Sequence, residues 1–186
     1  FVDKIAKIIL LQVHGAIGKS ALIEDVIEGT ELVLLNSHLS PLANYIKLFE
    51  AKDKPVVLRD VDNLLLNNIN ISLMKQVADT KETNTVSYHT SSRLLNDYPS
   101  SFDTTSNVLI ETNEFTARNS SLQALETRAL SILFKPTKLA LIEKMKEIIQ
   151  KPFMDLTLEQ KQVVLDFIIE NKDLVPDLNL RQLING

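Results

Sequence analysis

Two hydrophobic rhythms alternate along the first two thirds of the chain. Continuous apolar runs of strand length occur at Lys7–Val13, Glu31–Leu35, Pro55–Leu58, Asn107–Glu111 and Leu130–Phe134, with a weaker candidate at Val86–Tyr88. Between them lie segments with apolar residues at helical spacing. These are Leu22, Ile23, Val26 and Ile27 within Ser20–Glu28, the set Leu42, Tyr45, Ile46 and Phe49, then Ile71–Ala78 and Leu122–Leu125. Ser40-Pro41 predicts a helix start, a hydroxyl cap ahead of a residue whose φ is already helical. Strands that are apolar throughout, each bounded by a helix, predict a parallel sheet with helices on both faces.

Pro136 marks a break, after which the strand rhythm stops. Lys138–Ile149, Leu158–Asn171 and Leu178–Ile184 all read as helices. Thr157-x-x-Gln160 forms a capping box for the second, and Asp177 is the expected cap of the third. The expected layout is an α/β domain over residues 1–135 and an all-helical appendage over 136–186. Asp79–Ser106, polar and rich in Ser and Thr, predicts a long loop or exposed hairpin.

Composition narrows the chemistry. The chain has 186 residues, 45% hydrophobic and 24% charged, with a formal net charge of −4. A chain of this size buries roughly 70% of its unfolded surface, so a core needs no disulfide or structural metal. There is no cysteine, which removes thiolate metal sites and cysteine nucleophiles, and three scattered histidines make a poor metal centre. No run approaches the ~20 apolar residues of a membrane span, and no signal-peptide pattern opens the chain. A soluble, cytoplasmic protein is expected, and the initial Phe1 suits a processed chain or a fragment. The acidic balance argues against a surface that coats nucleic acid generically.

The residues richest in chemical meaning follow the first strand. His14-Gly15-Ala16-Ile17-Gly18-Lys19-Ser20 joins that strand directly to the first helix and holds two of the four glycines. In this context a loop cradles phosphate. Backbone N–H groups of Gly15, Ala16, Ile17 and Gly18 form an anion nest, the helix N-terminus adds positive potential, Lys19 reaches the phosphates, and the Ser20 hydroxyl ligates Mg²⁺. Val13 stands where the full pattern G-x-x-x-x-G-K-[ST] has its first Gly. The alternative is an ordinary strand–helix turn with an exposed Lys.

A second motif is Val56-Val57-Leu58-Arg59-Asp60-Val61-Asp62-Asn63, an apolar strand ending in carboxylates. In a Walker B segment such an end offers one acid to Mg²⁺ and another to the attacking water. Two registers are open. In the favoured one Arg59 takes the metal-side place and Asp60 is the catalytic acid. In the other, Asp60 faces the metal and Val61 replaces the catalytic acid. Either way one acid is missing, and a guanidinium in its place would repel Mg²⁺ or contact phosphate itself.

With these motifs the chain resembles the AAA+ branch of the P-loop ATPases over nearly its whole length, and within it the small ATPases of phages, plasmids and other mobile elements. The resemblance also rests on Asp60–Leu65, Leu73–Lys81 and Thr85–Tyr88. Asn107–Asn113 looks like the strand ending in sensor 1, which implies that Asn113 helps place the hydrolytic water. Leu125–Leu130 is similar to the box bearing the arginine finger, making Arg128 the residue given to a neighbouring subunit. Asp177–Ile184 looks like the sensor 2 helix, with Arg181 directed at the γ-phosphate. A guanidinium suits developing equatorial charge on phosphoryl oxygens.

The resemblance implies a nucleotide-binding α/β domain, a helical lid, ATP and Mg²⁺ as cofactors, and function as a homo-oligomer or with other AAA+ subunits. Hydrolysis would drive lid motion and remodel DNA or a DNA–protein complex, as in mobile-element replication. Tyr88 and Arg93 in the Thr83–Ser106 stretch are candidates for contacting a nucleic-acid strand. Two other readings stay open: a non-hydrolysing nucleotide switch or assembly subunit, and a protein-interaction domain without nucleotide. His14, His38 and His89 read as solvated loop residues, and Glu24, Asp25 and Glu28 as the solvated face of the first helix.

Overall fold

The computed structural model describes residues 6–13, 15, 17–19, 23–24, 27–36, 38–61, 63–79, 81–113, 120–153 and 155–185. Two compact units emerge, one formed by Phe1–Val13 with Ile27–Leu133, the other by His14–Val26 with Phe134–Gly186.

The first unit is α/β. Its strands are β1 (Ile8–Val13), β2 (Val33–Asn36), β3 (Val56–Arg59), β4 (Asn84–Ser87), β5 (Ser101–Thr104), β6 (Val108–Asn113) and β7 (Leu130–Phe134, whose last residue falls in the second unit). Helices α1 (Pro41–Ala51), α2 (Asn68–Val77) and α3 (Ser120–Glu126) lie between them. Five strands form a sheet in the order β2-β3-β6-β1-β7, and the pairs β2–β3, β3–β6 and β6–β1 are all parallel.

Parallel pairing explains the sequence pattern. Val56–Arg59 of β3 are buried without exception, as expected of a strand covered on both faces. Coverage is incomplete at the edges, where the sequence predicts it throughout. All five residues of β7 are exposed, and Leu34 of β2 is partly so, because an edge strand has a neighbour on one side only.

Helix starts follow their caps. The Ser40 hydroxyl accepts from the Ala43 N–H at 3.2 Å with Pro41 in the first turn. Asn67 caps α2 by accepting from Ile69 and Asn70. Within the first expected helix, Ser20–Glu28, Ile23, Glu24 and Ile27 are helical and Glu28 lies in a turn, while positions 20–22, 25 and 26 lie outside the described residues.

The polar stretch after α2 is a hairpin, with β4 and β5 antiparallel and Val86 opposite Phe102. Its inner face is core rather than exposed loop. Val86 and Phe102 are buried, and Asn84 donates to the carbonyls of Val77 (2.8 Å) and Asp79 (2.9 Å), tying the hairpin to the end of α2. The Phe102 ring lies edge-on to Tyr45 and Phe49, and the Tyr45 hydroxyl donates to the Pro99 carbonyl at 2.6 Å.

In the second unit, α4 (Lys138–Ile149), α5 (Leu158–Asn171) and α6 (Arg181–Asn185) enclose a core of Leu141, Met145, Ile149, Leu165, Leu178 and Leu183. Both arms of the Thr157–Gln160 capping box form. The last helix is capped by Asn179 instead of the expected Asp177. Asn179 Oδ1 accepts from the Arg181 N–H at 3.1 Å, and Gln182 Oε1 accepts from the Asn179 N–H at 3.0 Å. Reciprocal side-chain bonds fix the start at Arg181, so Leu178 and Leu180 precede the helix as buried anchors.

Candidate functional site

Three adjacent parallel strands bring their carboxyl ends to one edge. Val13, the last residue of β1, pairs with Asn113, the last residue of β6. On the other side of β6, Leu58 pairs with Ile110, so Arg59 lies level with Glu111. The chain leaves β1 for β2 at one edge of the sheet, and leaves β6 for β7 at the other. Neighbouring strands whose outgoing connections diverge open a crevice at their carboxyl ends, where ligands of open α/β sheets bind. Asn113 stands exposed at that point, and the loop expected to hold phosphate begins immediately after Val13.

The acidic strand end has a disposition that neither register anticipates. Arg59 is buried, and its Nε lies 3.4 Å from Oε2 of Glu111, whose side chain is 1% exposed. The guanidinium therefore meets a carboxylate of the adjacent strand. Asp60 is exposed at a bend with φ of +52°, and it makes no hydrogen bond or ion pair among the described residues. Asp62 lies outside the described residues. Glu111 escaped the sequence reading, although a lone acid in the apolar strand Val-Leu-Ile-Glu-Thr-Asn was a signal that a cation must meet it.

In the second unit, Gly15 and Gly18 are exposed, Ile17 packs against the helical core, and Lys19 opens the helix. Gly18 has φ of +83°, the left-handed region that glycine enters without penalty. A Cβ there would lie 3.3 Å from Leu180 Cδ1, whereas one on Gly15 would meet nothing within 4 Å. Leu180 precedes Arg181, which is exposed. The segment expected to hold phosphate and the segment expected to read the γ-phosphate thus touch through Gly18 and Leu180. His14, Ala16 and Ser20 lie outside the described residues.

Arg128 follows α3 and is exposed, its N–H bonded to the Leu125 carbonyl at 2.9 Å. It lines a polar cavity of about 310 Å³ with Lys75, Lys81, Asp79, Ser72 and Thr85. Asp79 lies 3.8 Å from Lys81, leaving the cavity with an excess of cations. Such a surface attracts anions.

Tyr88 is not the free stacking platform the sequence suggests. Its ring centroid lies 5.5 Å from that of Tyr45, and it packs on the main core. Arg93, by contrast, is exposed in a short 3₁₀ turn, beside an exposed Leu94. His38 is exposed and lies at hydrogen-bond distance from the Asn63 amide. Among the described residues no group of three or more His, Cys, Asp or Glu could hold a metal, and no helix is long and apolar enough to cross a membrane.

No family model matches the chain, and no curated protein matches it. Among solved structures, a chain in the structure of Drosophila ORC bound to GC-rich DNA and Cdc6 is similar at a TM-score of 0.37 and 9% identity. That alignment covers 96% of this chain and 69% of that one. A likeness so slight leaves the α/β reading resting on the sheet itself: five mostly parallel strands, with β1 and β6 side by side at its centre.

Proposed function

We propose that the chain is an ATP-binding AAA+ module that works as an oligomer in DNA-linked remodelling of the kind mobile elements use in replication. The feature that supports the reading is the pairing of parallel β1 and β6 up to Val13 and Asn113 at their carboxyl ends, with Gly15-x-x-Gly18-Lys19-Ser20 following β1 in the sequence. Lys19 neutralises phosphate charge, and amides of Gly15–Gly18 bind phosphate oxygens. Mg²⁺ needs only one or two protein oxygens beside phosphates and water, and the oxygens of Ser20 and Asp60 are of the kind it takes. When bound, the ion would neutralise charge developing on the phosphates. Asn113 positions water, Arg128 serves a neighbouring subunit, and Arg181 reads the γ-phosphate. An ATPase assay tests this: phosphate release abolished by Asp60→Asn and by Arg128→Ala supports a hydrolase, and release unchanged in both variants contradicts one.

A second reading is favoured by the Arg59–Glu111 pair. With both groups neutralising each other, the end of β3 presents Asp60 as its described acid, and phosphate binding needs no second carboxylate. The chain is then a nucleotide switch or assembly subunit. ATP binding without phosphate release, in the presence of Mg²⁺, distinguishes this from the first reading.

A further inference from the structure

The second unit carries an apolar groove that no nucleotide chemistry uses. It runs along α5, with a volume of about 480 Å³, between Val163, Phe167 and Asn171 on one side and Val175, Leu178 and Gln182 on the other. Its outer wall is strongly exposed, with Val163 at 69% and Phe167 at 67%, and Leu174 in the turn after α5 is 79% exposed. Apolar residues grouped in this way mark an interaction surface, whereas scattered ones do not.

The rim says what covers it. Glu159, Asp166 and Glu170 recur at helical spacing on the stripe beside Val163 and Phe167, and all three are exposed. None makes an ion pair among the described residues; Asp166 only accepts a hydrogen bond from Gln162 at 2.8 Å. The nearby cations are engaged. Lys161 donates to the Lys151 carbonyl at 2.8 Å and lies over the Phe153 ring, Lys138 donates to the carbonyls of Lys172 and Val175, and Lys172 lies 3.6 Å from Asp173.

We propose that this groove docks an amphipathic helix of a partner protein whose apolar stripe is flanked by Lys or Arg. The α5 wall pairs its backbone within the helix and offers no free edge to extend a strand, so a helix suits it where a strand does not. A second copy using the same face would set one acidic stripe against another in a two-fold contact, which electrostatics opposes. Phe167, large and exposed at the groove's lip, is the anchor.

Fluorescence anisotropy with the full chain tests this, using a labelled helical Leu/Lys peptide and a Leu/Glu peptide of the same apolar pattern. The Leu/Lys peptide should bind at least about tenfold tighter. Phe167→Ser and Val163→Ser should each weaken it by about tenfold with unchanged thermal unfolding, and Glu159→Lys with Glu170→Lys should reverse the preference. Equal binding of the two peptides, or tight binding that survives both Ser substitutions, overturns the proposal. So does self-association in sedimentation that Phe167→Ser abolishes while the Leu/Lys peptide has no advantage.

Discussion

Arg59 and Glu111 form a charge pair inside the sheet, 3.4 Å apart across the β3–β6 boundary, on strands that are otherwise apolar where they meet. A buried pair contributes little over an apolar pair of equal volume, yet breaking it leaves one uncompensated charge. Glu111→Gln or Arg59→Met alone should cost about 3–5 kcal/mol in urea unfolding. Arg59→Met with Glu111→Leu should recover most of that loss. Equal destabilisation by single and double variants would show that the pair does not act as a unit.

The same pair changes how catalytic gain is sought. Arg59→Asp alone would set a second carboxylate beside Glu111 in a buried site, where like charges oppose each other. The single variant should therefore unfold more readily than the wild type. Arg59→Asp with Glu111→Gln should regain stability, and it is the variant in which to measure phosphate release.

Gly18 combines a φ of +83° with the nearby Leu180 methyl. Gly18→Ala should lose about 1–2 kcal/mol from left-handed strain alone. Adding Leu180→Ala relieves the contact and not the strain, so thermal unfolding of the double variant should show no return to wild-type stability.

Asp53 carries a pH signature. Its carboxylate accepts from both the N–H and the hydroxyl of Thr105 at 2.9 Å, and these bonds hold its pKa below the usual aspartate range. A depressed pKa in the folded chain means stability that is present above about pH 4 and lost as pH falls through the folded value. Asp53→Asn should remove that component and flatten the acid limb of a stability–pH curve. Asn also tolerates the φ of +70° found there.

The hairpin divides its aromatic and basic residues between structure and function. Phe102→Ala should cost about 3–5 kcal/mol, and Tyr88→Ala should also lower stability through its Tyr45 contact. Arg93→Ala should leave stability unchanged and weaken single-stranded DNA binding if the hairpin meets DNA, as an electrophoretic titration would show.

Much of the fold was legible because its signals are local. Each main-sheet strand coincides with an apolar run, and α4 and α5 keep their expected bounds because caps and a preceding proline mark them. The misses arise from partners distant in sequence. Arg59 meets Glu111 only because β6 inserts between β1 and β3, and Tyr88 is engaged only because the hairpin folds onto α1 and its Tyr45. The exposed β7 looks like any buried strand until its edge position is known. For the candidate site the sequence names Gly15, Gly18, Lys19, Asp60, Asn113, Arg128 and Arg181 as expectations, and the fold adds Glu111, the buried partner of Arg59.

The proposed nucleotide is held by the loop after β1. Thermal unfolding with and without Mg²⁺–ATP measures it most directly, because a ligand at about a hundred times its Kd stabilises the folded state by about 2.7 kcal/mol. The wild-type chain should melt higher with ATP, and Lys19→Ala should lose the increase while keeping its own melting temperature. Identical melting with and without nucleotide, or an equal increase in Lys19→Ala, would contradict it.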